Sequence, residues 1–155
     1  MLHIALYQPE IPPNTGNIMR LCANTGTALH LIEPLGFTLD DKRLRRAGLD
    51  YREFAAVRTH ADLPGFFERV QPSRVFALST RGKRRYSDIA YAPGDALLFG
   101  PETRGLPADL LAEMGEGHCL RIPMQPDSRS LNLSNAVALV VYEALRQQDF
   151  PGLAP

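Results

Sequence analysis

Three stretches of the chain set chemically able side chains among glycines and prolines, where a backbone turns sharply and can approach a ligand. NTGNIMR (14–20) ends on Arg20, whose planar guanidinium suits a phosphate or a developing oxyanion. A solvated helix face is the plainer explanation on sequence alone. GPETRG (100–105) flanks Glu102 and Arg104 with two glycines, which permit positive φ and close backbone approach; an ordinary turn reads the same way. IPMQPDSRSLN (122–132) is more informative. It carries Ser128, Arg129, Ser130 and Asn132 to the start of a helix, where free amides attract anions and residues 130–134 supply natural caps. Capping explains one or two of these side chains, not all of them.

Two basic clusters stand out, KRLRR (42–46) and RGKRR (81–85). The first is accounted for equally well by a solvated helix face. The second follows a strand in a loop, where that explanation fails, and nucleic-acid contact gains weight. No GxGxxG follows a strand and no GxxxxGK[ST] occurs, so the standard dinucleotide and P-loop cradles are absent. The histidines at 3, 30, 60 and 118 have no metal-ligand spacing and no nearby GxSxG, which leaves scattered structural histidines and no metal site. Cys22 and Cys119 form no CxxC pair and read as reduced, buried thiols.

The elements that must position these residues alternate along the chain. Strand-length apolar runs occur at 2–7, 28–33, 55–60, 74–79, 95–100 and 118–124, the last broken by Pro123. Helical patterns fall between them at 14–26, 40–48, 61–70 and 106–114. Asn14 or Thr15 can cap the first of these helices and Gly26 can stop it. A long final helix spans 134–148, apolar around most of its circumference, which asks for burial on several sides and hence a partner subunit. Such alternation predicts an α/β fold with a mainly parallel sheet flanked by helices on both faces. Ligands of such sheets bind beyond the carboxyl ends of the strands, which is where loops 79–87, 100–105 and 122–132 lie.

The length of 155 residues, with 45% hydrophobic and 22% charged, predicts one globular domain over 1–155 with a loose tail at about 151–155. Seventeen basic residues balance seventeen acidic ones, which disfavours non-specific coating of nucleic acid but permits a local basic patch. There is no signal-peptide pattern and no apolar run of membrane-spanning length, so a cytoplasmic protein with no membrane partner is expected.

NTGNIMRLCANTG, LLFGPETRGLP and IPMQPDSRSLNLSNAVALVVYEALRQ together resemble, in order and spacing, the three motifs of the SpoU branch of SPOUT RNA 2'-O-methyltransferases. LHIALYQPEIPP, DDKRLRRAGLDY and YEALRQQDFPG extend the match over essentially the whole chain, closest to the minimal members that act on cytidine or uridine at the tRNA wobble position. The resemblance implies an α/β fold with a C-terminal trefoil knot, an exception to the usual absence of knots. It implies S-adenosyl-L-methionine as methyl donor, S-adenosyl-L-homocysteine as product, a homodimer with the active site near the subunit interface, and a tRNA substrate, leucine tRNAs being the family expectation. Cofactor binding is then expected from Leu78, Thr80, Gly100, Glu102, Ile122, Met124, Ser130 and Leu131, and catalysis from Arg20, Asn132 and Glu102, with no metal. No extra N-terminal RNA-binding domain of the kind larger relatives carry is expected, so RNA contact is assigned to Lys42, Arg43, Arg45, Arg46, Lys83, Arg84 and Arg85. Two other readings stand beside this one. They are the same chemistry at another tRNA or rRNA ribose, and a catalytically idle RNA-binding protein on the same scaffold.

Overall fold

The structure is a computed structural model and describes residues 1–46, 53 and 56–155. Its strands are β1 (His3–Tyr7), β2 (Ala28–Ile32), β3 (Arg58–His60), β4 (Arg74–Leu78), β5 (Arg84–Arg85), β6 (Asp95–Phe99) and β7 (Cys119–Arg121). They form one sheet in the order β3-β2-β1-β6-β4-β7-β5, parallel at every pairing. The helices are α1 (Pro12–Thr25), α2 (Lys42–Arg45), α3 (Leu63–Val70), α4 (Ala108–Met114) and α5 (Leu133–Gln147).

Side chains alternate across each strand, so every central strand feeds two cores. Leu97 and Phe99 of β6 join Ile18 and Met19 of α1 and Val137, Val140 and Val141 of α5 on one face. Ala96 and Leu98 of the same strand join Phe66 of α3 and Leu111 of α4 on the other. That two-sided burial is why DALLF is a continuous apolar run rather than an alternating one.

Several elements differ from the sequence reading. The first helix opens at Pro12 rather than Asn14, because proline lacks only an amide that the first turn leaves unpaired anyway. Arg84 and Arg85 lie in a short strand on the exposed sheet edge, not in a loop; their main chains pair with β7 while their side chains stay in water. The weak strand shrinks to Arg58–His60 and the last to Cys119–Arg121. Of the helix expected at 40–48, residues 42–45 are helical, and 47–48 fall outside the described residues. Residue 55 of the expected strand falls outside them too. In the tail, Leu153 packs against the α1–α5 core. The final helix is buried along one side and leaves Leu139 43% and Tyr142 44% exposed on another, the kind of uncovered apolar face its composition suggested.

Three of the four histidines are adjacent rather than scattered. His3, His30 and His60 stand on neighbouring strands, with Nδ1 of His3 3.1 Å from Nε2 of His30 and Nδ1 of His30 2.9 Å from Nε2 of His60. Phe66 closes the group edge-on. Burial lowers the pKa of all three. For His30, desolvation acts first and the neighbouring His3, His60 and Arg58 add to it, pushing the pKa down to about 3. The ladder is therefore an uncharged part of the core at neutral pH.

A tightly confined crossing lies at the far edge. Strand β7 is inserted between β4 and β5, so the loop 79–83 that joins those two strands must pass over it. Leu78 and Arg84 both register with Leu120, and Ser79 N–H donates to the Leu120 carbonyl at 2.9 Å. At Gly82 a Cβ would stand 2.5 Å from the Leu120 carbonyl carbon and oxygen. Backbone meets backbone there, and a side chain has no room. Gly82→Ala is expected to lower stability by about 1–3 kcal/mol in chemical denaturation. Gly117→Ala, where a Cβ meets nothing within 4 Å, should stay within about 0.5 kcal/mol of the parent. Equal stability of the two variants would contradict the crossing geometry.

Candidate active site

Helix α1 begins with an unusual shortage of local partners. Pro12 and Pro13 occupy its first turn, and Ile11 at the cap position offers no side-chain acceptor. The acceptor comes instead from 91 residues away in sequence. Glu102 Oε2 takes the Ile11 N–H at 2.7 Å, and Oε1 takes the Glu10 N–H at 2.9 Å. A carboxylate there satisfies free amides and meets the positive end of the helix. The exchange is reciprocal, because Glu10 Oε1 accepts from the Thr103 amide at 2.9 Å and its hydroxyl at 2.7 Å. Those two bonds, ahead of the nearby Arg104 charge, lower the Glu10 pKa.

The clasp continues to α5. Asn14 Nδ2 donates to Glu102 Oε2 at 3.3 Å, and Asn14 Oδ1 accepts from Asn132 Nδ2 at 3.0 Å. Asn132 Oδ1 in turn caps α5, taking the amides of Ser134 at 2.9 Å and Asn135 at 3.3 Å. One hydrogen-bonded line thus ties the start of α1, loop 100–105 and the start of α5. Both ends of the Glu102 carboxylate and both ends of the Asn132 amide are spent inside the protein.

Between these loops lies a cavity of about 700 Å³ at the carboxyl ends of β4, β6 and β7. Its size suits a cofactor-sized ligand. Leu78, Ile122, Met124, Leu131 and Leu133 give it apolar walls. Gly100 sets its depth, because a Cβ there would meet the Leu106 nitrogen at 2.4 Å. On the Thr80 side the Arg121 guanidinium donates to the Thr80 carbonyl and pins that loop.

The eight residues expected to bind cofactor (Leu78, Thr80, Gly100, Glu102, Ile122, Met124, Ser130 and Leu131) all line this one cavity, and so does Asn132. Arg20 does not. It is exposed on α1, six residues beyond Asn14 and so about 9 Å along the helix axis. None of the expected RNA-contacting residues lines the cavity. Lys42, Arg43 and Arg46 are exposed at α2, where Asp41 accepts from Arg43 Nη2 at 3.0 Å; the Arg45 side chain falls outside the described residues. Lys83 pairs with Glu116 at 3.0 Å, Arg85 with Asp88 at 3.3 Å, and Arg84 donates to the Gly117 carbonyl at 3.3 Å. Sequence reasoning missed Glu10 and saw Asn14 only as a cap. The signal for both was the apolar residue Ile11 at the cap position of α1, which leaves the amides entering the helix in need of an acceptor from elsewhere.

Glu102→Ala should therefore lower stability by about 2 kcal/mol, because two charge-assisted bonds at a helix start are lost. Glu102→Gln, which keeps one acceptor, should recover roughly half of that. Denaturant midpoints measure both, and an alanine variant as stable as the parent would remove the clasp from the account.

With this geometry in hand, comparison with known proteins is specific. The tRNA (cytidine(34)-2'-O)-methyltransferase of Escherichia coli (strain K12) is 63% identical over 152 residues, spanning 98% of this chain and 97% of that protein. A solved structure bearing on the 2-OH methylation of C/U34 on tRNA is 48% identical with a TM-score of 0.87, covering 96% of this chain and 97% of its own. An AdoMet-bound rRNA methyltransferase from Sinorhizobium meliloti is 26% identical with a TM-score of 0.76, over 94% of this chain and 56% of its own. The profile of the SpoU rRNA Methylase family matches residues 1–142. Nearly the whole chain is thus accounted for, and it belongs to the SpoU methylase family.

Proposed function

We propose that this protein transfers a methyl group from S-adenosyl-L-methionine to the ribose 2'-hydroxyl of the wobble nucleotide, position 34, of tRNA, with leucine tRNAs as substrates and S-adenosyl-L-homocysteine as product. The observation that carries this reading is the convergence of all three motif loops on one cavity, held by the Glu102–Asn14–Asn132 line. The extent of the match to relatives named for C34 methylation supports the choice of target. The AdoMet-bound neighbour supports the donor.

The residues present fit that donor. Apolar side chains at Leu78, Ile122, Met124 and Leu131 suit an adenine face, and backbone groups around Gly100 and Ser130 offer polar contacts without a dinucleotide-type glycine loop. When bound, the donor supplies an electrophilic methyl group on a sulfonium leaving group. Glu102 and Asn132 act as positioning residues, since their polar atoms hold the loops that wall the cavity. Arg20 is assigned to the substrate side. A guanidinium does not give up a proton at neutral pH, so its work is to hold the hydroxyl and an adjacent RNA phosphate.

The reading includes a trefoil knot in the C-terminal part of a single domain, supported by β7 lying between two strands that are neighbours in sequence. It also includes a homodimer. Leu139 and Tyr142 leave an apolar stripe exposed on α5, the helix whose first turn borders the cavity, and Ile11 and Leu131, both 40% exposed, line that cavity. A subunit covering that stripe would sit beside the site. Lys42, Arg43, Arg45, Arg46, Lys83, Arg84 and Arg85 are assigned to tRNA contact, and the protein to the cytoplasm, supported by the nature of the substrate. Among the described residues no helix is long and apolar enough to cross a membrane, and no group of His, Cys, Asp and Glu is placed to hold a metal ion.

The test is transfer of labelled methyl to tRNA lacking its own wobble 2'-O-methyl group, mapped by nucleotide. Label is expected on the wobble ribose, and Arg20→Ala should cut turnover by roughly 100-fold or more while donor binding survives. Label at another ribose would move the target. Donor binding with no label on any RNA would leave only a binding protein.

A further inference from the structure

Three arginines line the cavity, and they are not equivalent. Arg104 is engaged by its own chain, donating to Gln8 Oε1 at 3.0 Å and standing 3.9 Å from a Glu10 carboxylate oxygen. Arg81 and Arg129 line the same cavity, are exposed, and among the described residues their guanidinium groups have no hydrogen-bond or ion-pair partner. This contrasts with the rest of the 81–85 cluster, whose charged groups are tied to Glu116, Asp88 and the Gly117 carbonyl. In a chain of zero net charge, two uncompensated guanidinium groups at one concave rim focus positive potential where it would be felt most.

Arg81 has a second feature. It also borders a separate groove of about 290 Å³, shared with Lys83, Ala108 and Leu111. It therefore stands on the ridge between the cofactor-sized cavity and a neighbouring channel. A chain molecule that runs from one to the other must cross it. Guanidinium forks match phosphate oxygens in bidentate geometry.

We infer that Arg81 and Arg129 form a phosphodiester clamp at the cavity rim, gripping the RNA backbone on either side of the nucleotide whose ribose enters, with the strand continuing over Arg81 into the second groove. This rests on the proposed RNA substrate and assigns the local grip to two residues distinct from the paired bases of the 83–85 run. Both arginines act as binding residues, and the fold does not depend on them.

The experiment uses the full-length protein and measures binding of leucine tRNA lacking only its wobble 2'-O-methyl group across a salt series. S-adenosylhomocysteine binding is measured in parallel by calorimetry. Arg81→Gln and Arg129→Gln should each weaken tRNA binding roughly tenfold. Each should also reduce the slope of log K against log salt by roughly 0.7–1, with S-adenosylhomocysteine affinity and melting temperature unchanged. Arg69→Gln, at an exposed arginine of α3 outside both cavities, controls for net charge and should leave the slope as it is. Weakened S-adenosylhomocysteine binding with an unchanged salt slope would overturn the clamp and assign the pair to the donor's carboxylate. Unchanged binding of both ligands would overturn it as well. Failure of the parent protein to bind tRNA at all would instead be a failure of the proposed function.

Discussion

A single carboxylate holds this site together. Glu102 reaches back across most of the sequence to accept the amides of Glu10 and Ile11, at a helix start whose cap residue, Ile11, has no side-chain acceptor. Ionised acceptors on backbone amides make about the strongest hydrogen bonds a protein has outside metal sites. Three of the segments that wall the cavity are referred to that one group. Loop 100–105 is fixed because it carries Glu102, α1 because Glu102 caps it, and α5 because Asn132 reaches Glu102 through Asn14. The consequence is a pocket whose shape is set by the protein rather than by its ligand, which reduces the ordering cost of binding.

The sheet supplies the other constraint. Insertion of β7 between β4 and β5 forces loop 79–83 across its backbone, and Gly82 makes the crossing possible. That crossing brings Thr80 and Arg81 over the carboxyl end of the sheet, facing the loop that follows β7. The cavity is thus the meeting point of connections that a simple doubly wound sheet would keep apart. An ordinary switch-point crevice is built on a glycine-rich turn; here close-packed loops wall the cavity instead.

Much of this was legible in the sequence. Alternating apolar runs and helical patterns were enough for a parallel α/β sheet, since burial on both faces of β6 writes itself as an uninterrupted DALLF. The motif loops could be located because strand ends and glycines mark them. What periodicity could not carry was any relation between distant residues. Nothing local shows that Glu102 caps α1, that His3, His30 and His60 form a ladder across three strands, or that Arg84 and Arg85 pair at an edge with their charges in water. Arg81 and Lys83 read alike as basic residues of one cluster, and only the fold gives Lys83 a carboxylate and leaves Arg81 bare.

The most direct test of the central claim is a crystal structure of the protein with S-adenosylhomocysteine. The account predicts the ligand between Leu78, Gly100 and Ile122, with the Glu102 carboxylate still on the Glu10 and Ile11 amides and Asn132 still capping α5. A ligand bound elsewhere, or a Glu102 that has left the start of α1 to contact it, would contradict the claim that this clasp builds the site in advance.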